Sequence, residues 1–74
     1  MAKTFSVLLF HTSSHAIRAE KLLEEKGTAC KLIPVPRHLS SDCGVCVRVR
    51  RQDRDKAEKL LEGAGVEVVE VHDL

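Results

Sequence analysis

The residues best suited to nucleophilic or metal chemistry in this chain are three cysteines, Cys30, Cys43 and Cys46, together with four histidines. Cys43 stands in the most informative stretch, SSDCGVCVRV from Ser40 to Val49. Ser40, Ser41, Asp42 and Gly44 bend a chain, by side-chain bonds to the backbone or by freedom at positive φ. Val45, Val47 and Val49 then alternate with Cys46, Arg48 and Arg50, the period-2 pattern of a strand with one apolar face. Cys43 therefore sits at a loop-to-strand junction, where a small thiol can be partly exposed and firmly held. From position alone, a reactive thiol and a small buried one are both compatible with this.

Cys43 and Cys46 spell C-x-x-C, a spacing used by redox and metal motifs. In a strand, however, residues three apart lie on opposite faces, whereas a disulfide needs Cα atoms within about 7 Å. The pair is therefore not read as a redox couple, and Cys46 is expected on the open sheet face beside Arg48. Cys30, on the alternating face with Leu32, is expected in the core. A cysteine with His11, His15 and His38 has the ligand types for zinc or iron, but no finger or ribbon spacing is present. No metal site is assigned.

Elements that would position these residues follow from periodicity. Thr4 to Phe10 is a β-rich apolar run with little polar interruption, as in a central strand covered on both faces or one at an assembly contact. His11, Thr12, Ser13 and Ser14 bring helix N-cap types ahead of Ala16, Ile17, Ala19, Leu22 and Leu23, which are spaced along one helical face. Gly27 ends that helix. Cys30 to Val35 reads as a second strand, stopped by Pro36, and Gly44 to Arg50 as a third. Asp53 is the expected N-cap of a second helix through Ala57, Leu60, Leu61 and Ala64, ended by Gly63 and Gly65. Val66 to Val71 is expected as the last strand.

The chain also repeats itself. Residues 19–27 read AEKLLEEKG and residues 57–65 read AEKLLEGAG, at an offset of 57 − 19 = 38 that also superposes the first strand on the third and the second on the fourth. Two βαβ-type halves are implied, although helix formers such as Ala, Glu, Lys and Leu recur in helices for their own reasons. The order β-α-β-β-α-β predicts a ferredoxin-like split βαβ arrangement of α+β class, a four-stranded antiparallel sheet with both helices on one face. Right-handed crossovers give strand order 4-1-3-2. Cys43 and the segment His11 to His15 then share one end of the sheet. Because Val45, Val47 and Val49 must face the helices, Cys43 leans toward the amino end of the first helix. Unpaired N–H groups and the positive dipole end there favour a thiolate, lowering a pKa of about 8.5.

Composition bounds the possibilities. A 74-residue chain is one small domain, spanning 1–74, that buries only about 60% of its unfolded surface. With 43% hydrophobic and 31% charged residues it is an ordinary globular sequence, and a net charge of +1 argues against a nucleic-acid partner. No apolar run approaches the roughly 18 residues of a membrane span, and no signal-peptide cleavage pattern opens the chain. An odd number of cysteines fits a reducing compartment, so a cytoplasmic location is expected. Phe5 and Phe10 are the only aromatic residues, and the third strand lacks the stacking aromatics of an RNA-binding platform.

Ser14, His15, Ala19 and Glu20, then Pro34, Pro36 and Arg37, then Ser40, Ser41, Cys43 and Gly44 together resemble the small family of selenium/sulfur carrier-like proteins, and the likeness extends over nearly the whole chain. It implies a ferredoxin-like α/β fold and a cysteine, here Cys43, that carries a sulfur or selenium atom. It also implies a carrier rather than a turnover enzyme, and no cofactor beyond the covalently held chalcogen. The partners implied are a chalcogen donor such as a cysteine desulfurase, and an acceptor enzyme. Small or apolar residues are usual in the family where Cys46 stands, so the C-x-x-C is incidental. Backbone N–H groups at Gly44 and at the first helical turn, with the hydroxyls of Ser40, Ser41, Ser13 and Ser14, are expected to stabilise the terminal anion. His15 is a candidate donor beside it, and Arg37 a further binding residue. The competing expectation is a non-catalytic small-ligand or protein-interaction domain whose open sheet face meets a partner. The chain is expected to be a monomer or a weak homodimer.

Overall fold

The computed structural model describes residues 4–39 and 44–74. Strand β1 (Phe5–Leu9), helix α1 (Ser13–Glu25), strands β2 (Cys30–Pro34) and β3 (Val45–Arg50), helix α2 (Arg54–Gly63) and strand β4 (Glu70–Asp73) follow in that order, with one 3₁₀ turn at Arg51–Asp53. Every strand pairing is antiparallel and the sheet order is β2-β3-β1-β4. This is the ferredoxin-like 4-1-3-2 order expected from two right-handed crossovers.

Both helices bury their apolar stripes against the same face of the sheet. Ala16, Ala19 and Leu23 of α1 and Ala57 and Leu61 of α2 pack with Leu8, Phe10, Val47 and Val49, all essentially inaccessible to solvent. The helices also end alike, 38 residues apart. Thr28 N–H donates to Leu23 C=O at 2.9 Å and Gly27 N–H to Glu24 C=O at 3.0 Å; Val66 to Leu61 at 2.9 Å and Gly65 to Glu62 at 3.1 Å repeat the pattern. These are Schellman caps, and the glycines take the left-handed conformation that such caps need, with φ of 76° at Gly27 and 79° at Gly65.

The second cap explains where the sequence reading misplaced the last strand. Val66 begins no strand: its amide is committed to Leu61 and its side chain to the core. Pairing with β1 starts only as Val69 N–H reaches Leu9 C=O at 2.8 Å, and β4 runs over Glu70–Asp73 instead of Val66–Val71.

The face turned away from the helices is also not open where Cys46 lies. Ile33, Val35, Leu39 and Leu74 pack there against Val7, Leu9 and Cys46, forming a second apolar cluster. A turn closed by Leu39 N–H to Pro36 C=O, 3.0 Å, brings Leu39 back beneath the sheet. Cys46, expected beside solvent, is fully buried by the chain's own residues. It does lie on the expected face, opposite Ile33 of β2.

The C-terminal strand is held by polar contacts. Asp73 accepts from the Ser6 hydroxyl at 2.6 Å and from Arg54 Nη1 at 2.9 and 3.1 Å, while Arg51 Nη2 donates to Leu74 C=O at 3.0 Å. The Ser6 hydrogen bond, followed by Arg54 and Arg51, holds the Asp73 carboxyl below the usual carboxylate range. A group with a depressed folded pKa stabilises the fold above its unfolded pKa and loses that contribution as pH falls through the folded value. Asp73→Asn should therefore be less stable than wild type near pH 6, and the gap in urea midpoints should close as pH drops below about 4. A gap unchanged by pH would contradict this account.

A second test comes from the repeat. Thr28 is buried and its hydroxyl finds no partner among the described residues, whereas the equivalent position in the second half is Val66. An unsatisfied buried hydroxyl costs about 1–3 kcal/mol. Thr28→Val should raise unfolding stability by roughly 1 kcal/mol in urea titrations; a loss of stability would show that the hydroxyl is bonded after all.

Candidate functional site

The register of β1 with β3 pairs Leu8 with Val47, so the carboxyl end of β1 and the amino end of β3 are neighbours. From the first the chain passes through His11 and Thr12 into α1; immediately before the second stands Gly44. Gly44 C=O accepts from Val35 N–H at 3.2 Å, continuing the β2–β3 ladder by one step. Its φ is 79° and nothing lies within 4 Å of where a Cβ would be. Glycine is thus required by the backbone angle rather than by a close neighbour. Arg37 and His38 occupy the middle of the Pro36–Leu39 turn, both exposed. Of the residues singled out from the sequence, Gly44, Ser13, Ser14, His15 and Arg37 therefore belong to the same end of the sheet. Ser40, Ser41 and Cys43 lie outside the described residues.

Helix α1 opens on Thr12, extended at φ −139° and ψ 161°, whose hydroxyl accepts the His15 N–H at 3.2 Å. The same oxygen lies 2.6 Å from His15 Nδ1, so the imidazole expected to serve a bound anion is already tied to the cap through one of its two nitrogens. Thr12 C=O takes the Ala16 N–H at 3.2 Å. A helix begins with four amides that lack intrahelical partners; here the amides of Ser13 and Ser14 remain unpaired among the described residues. No acidic side chain stands in the first turn to compete for them. The positive end of α1 is therefore available to an anion, with two hydroxyls beside it.

The other two thiols are both taken up by the fold. Cys30, half-buried on the helix face, donates to Glu20 C=O at 3.5 Å. Burial, then the nearby carboxylates of Glu24 and Glu20, push its pKa up to about 11. Cys46 is inaccessible to solvent, and its thiol points to Pro34 C=O at 4.0 Å. Since β3 begins at Val45, Cys46 lies inside the strand.

Among the described residues no group of three or more His, Cys, Asp or Glu is arranged to hold a metal ion. His11 instead contacts Glu67 at 3.3 Å and His72 contacts Glu70 at 2.7 Å. Two contributors escaped the sequence reading in their actual roles. Thr12 is the cap itself, a role its neighbours Ser13 and Ser14 share by residue type but not by position. Glu20 reaches from α1 to accept the Leu32 N–H at 3.0 Å, closing part of the exposed β2 edge, for which the sequence carries no signal.

What these features define is a ferredoxin-like α+β protein with an anion-receptive helix start at one end of its sheet and two of its three cysteines shielded. A family model described as "Putative Se/S carrier protein-like" matches residues 5–73. The chain belongs to that family. Neither the curated proteins nor the solved structures yield a match. No helix among the described residues is long and apolar enough to cross a membrane.

The shielding of Cys30 is directly measurable. In a Cys43→Ser variant, thiolate absorbance near 240 nm should stay flat up to about pH 9 and rise only toward the Cys30 pKa of about 11. A group ionising near neutral pH in that variant would overturn the assignment of Cys30 and Cys46 as inert.

Proposed function

We propose that the protein carries sulfur or selenium on Cys43, as a persulfide or selenopersulfide, between a donor such as a cysteine desulfurase and an acceptor enzyme. The observation that carries this reading is the β1–β3 register, which brings Gly44, one peptide bond from Cys43, to the end of the sheet where α1 presents its unpaired amides. Membership in the carrier family supports it, as does the withdrawal of the two other thiols.

The transfer balances without an added redox partner. Cys43 thiolate attacks the outer chalcogen of the donor's persulfide; a new bond to that atom forms as the donor's own S–S or S–Se bond breaks, and the donor leaves as a thiolate. Release to the acceptor is the same displacement run forward onto a second thiolate. What the protein must supply is a deprotonated cysteine and stabilisation of the terminal anion once loaded. Positive helix ends lower thiol pKa values, often well below 8.5. Ser13, Ser14 and Gly44, with Ser40 and Ser41 beside Cys43 in the chain, are the donors assigned to that task, and Arg37 contributes positive charge at the same end of the sheet. Cytoplasmic thiol chemistry suits such exchange, because a reducing compartment keeps the resting cysteine reduced.

Incubation with a cysteine desulfurase and free cysteine, followed by intact mass measurement, should show one added sulfur on wild type and none on Cys43→Ser. Ser13→Ala with Ser14→Ala should retain the label but shorten its lifetime. Label persisting on Cys43→Ser, or never appearing on wild type, rules the carrier reading out.

A further inference from the structure

The sheet face turned away from the helices is divided in two. Around Cys46 it is apolar and covered; toward the opposite end of the strands it carries Phe5, Lys31, Arg48 and Arg50. The register sets Lys31 directly across from Arg48 and Phe5 directly across from Arg50, and Arg48 and Arg50 are two apart on one strand, so all four side chains leave the same face.

Like charges at directly opposed positions destabilise a sheet. Here the opposition is not relieved: among the described residues no carboxylate lies within 4.0 Å of any of these three cations. Acids are not scarce, with 11 against 12 basic residues in the chain. The guanidinium carbon of Arg48 sits 4.2 Å from the centroid of the Phe5 ring, which fixes its plane over the sheet instead of letting it extend into solvent. With Ala29, Cys30 and Val49 these residues line a cavity of about 310 Å³. That is the lower end of the range for small-ligand sites, about 300–1,000 Å³.

We propose that this cleft binds a tetrahedral dianion, the phosphate or sulfate class, held between Lys31, Arg48 and Arg50. One carboxylate would leave two of the three charges uncompensated, whereas a dianion offers enough oxygens for a forked guanidinium and an ammonium at once. A nucleic acid is disfavoured because the Phe5 ring at this cleft is already covered by Arg48 and offers no free platform for a base. The cleft is at the far end of the sheet from Gly44, so the proposal stands or falls independently of the chemistry at Cys43.

Wild type is titrated with inorganic phosphate, a small phosphate monoester such as glycerol phosphate, and acetate, each against sodium chloride at matched ionic strength. Amide chemical shifts and the thermal midpoint are followed. Phosphate or the ester should shift the Lys31, Arg48 and Arg50 amides saturably and, at ten times its Kd, raise the midpoint by about 5–10 °C. Tighter binding of the ester identifies a metabolite site; equal binding identifies the free anion as sufficient ligand. Lys31→Thr should weaken binding at least tenfold while raising the midpoint of the unliganded protein, because the opposed like charge is gone. Arg50→Gln should weaken binding as well. The proposal is overturned if chloride or acetate reproduces the phosphate effect, if no saturable shift occurs, or if both variants bind as wild type does.

Discussion

The pairing of β1 with β3 is under an unusual constraint, because β1 is buried on both faces. Val7 and Leu9 point into one apolar cluster and Leu8 and Phe10 into the other. In a half-solvated sheet, a slip of one residue moves apolar side chains into water. In this sheet it would exchange two packed environments of different shape, one built from helices and one from the turn before Leu39 and the terminal Leu74. Register is thereby fixed from both sides, and much else follows from it. It decides that Gly44 adjoins the end of the sheet from which α1 departs. The register of β2 with β3 in turn sets Lys31 across from Arg48 rather than from a carboxylate.

The two halves of the chain share a plan but finish their edges differently. On β2, the outward Leu32 amide is taken by Glu20, and Pro34, which has no amide hydrogen, occupies another outward-facing position. That edge offers little to a further strand. On β4, Leu74 N–H bonds Phe5 C=O, so ladder alternation turns the Val71 and Asp73 amides outward. This edge is only Glu70–Asp73 long and is preceded by Glu67, and shortness and charge are the other common ways of discouraging strand addition. The same internal repetition shows in the caps, where Gly27 and Gly65 do identical work, although the residue after each differs in chemistry, Thr28 against Val66.

Element types and their order were legible because periodicity reports burial on one side. Handedness then left one sensible strand order. Failures occurred where a residue's partner is not periodic. Val66, Glu67 and Val68 alternate as a strand would, yet Val66 serves the preceding helix; only the cap geometry reveals it. Leu39 and Leu74 are isolated apolar residues outside regular elements, so nothing in the sequence announces that they cover Cys46. Asp53 was read as the α2 N-cap; it holds that position, but its side chain makes no capping bond because a 3₁₀ turn leads into the helix. Near the candidate site, the glycine before β3 and the start of α1 could be placed from turn and cap residue types. The commitment of His15 Nδ1 to Thr12 could not, since it depends on a rotamer rather than a pattern.

A carrier of labile chalcogen has a hazard of its own, and the placement of Cys30 and Cys46 bears on it under the proposed function. If a second thiolate in the same chain attacked the inner sulfur of a loaded cysteine, a disulfide would form and sulfide would be expelled, discharging the cargo. Thiolate character and access govern the rate of such an attack. Cys30 fails on the first count: with a pKa of about 11 it remains a thiol at neutral pH. Cys46 fails on the second, since it is inaccessible to solvent and packs with Val7 and Leu9.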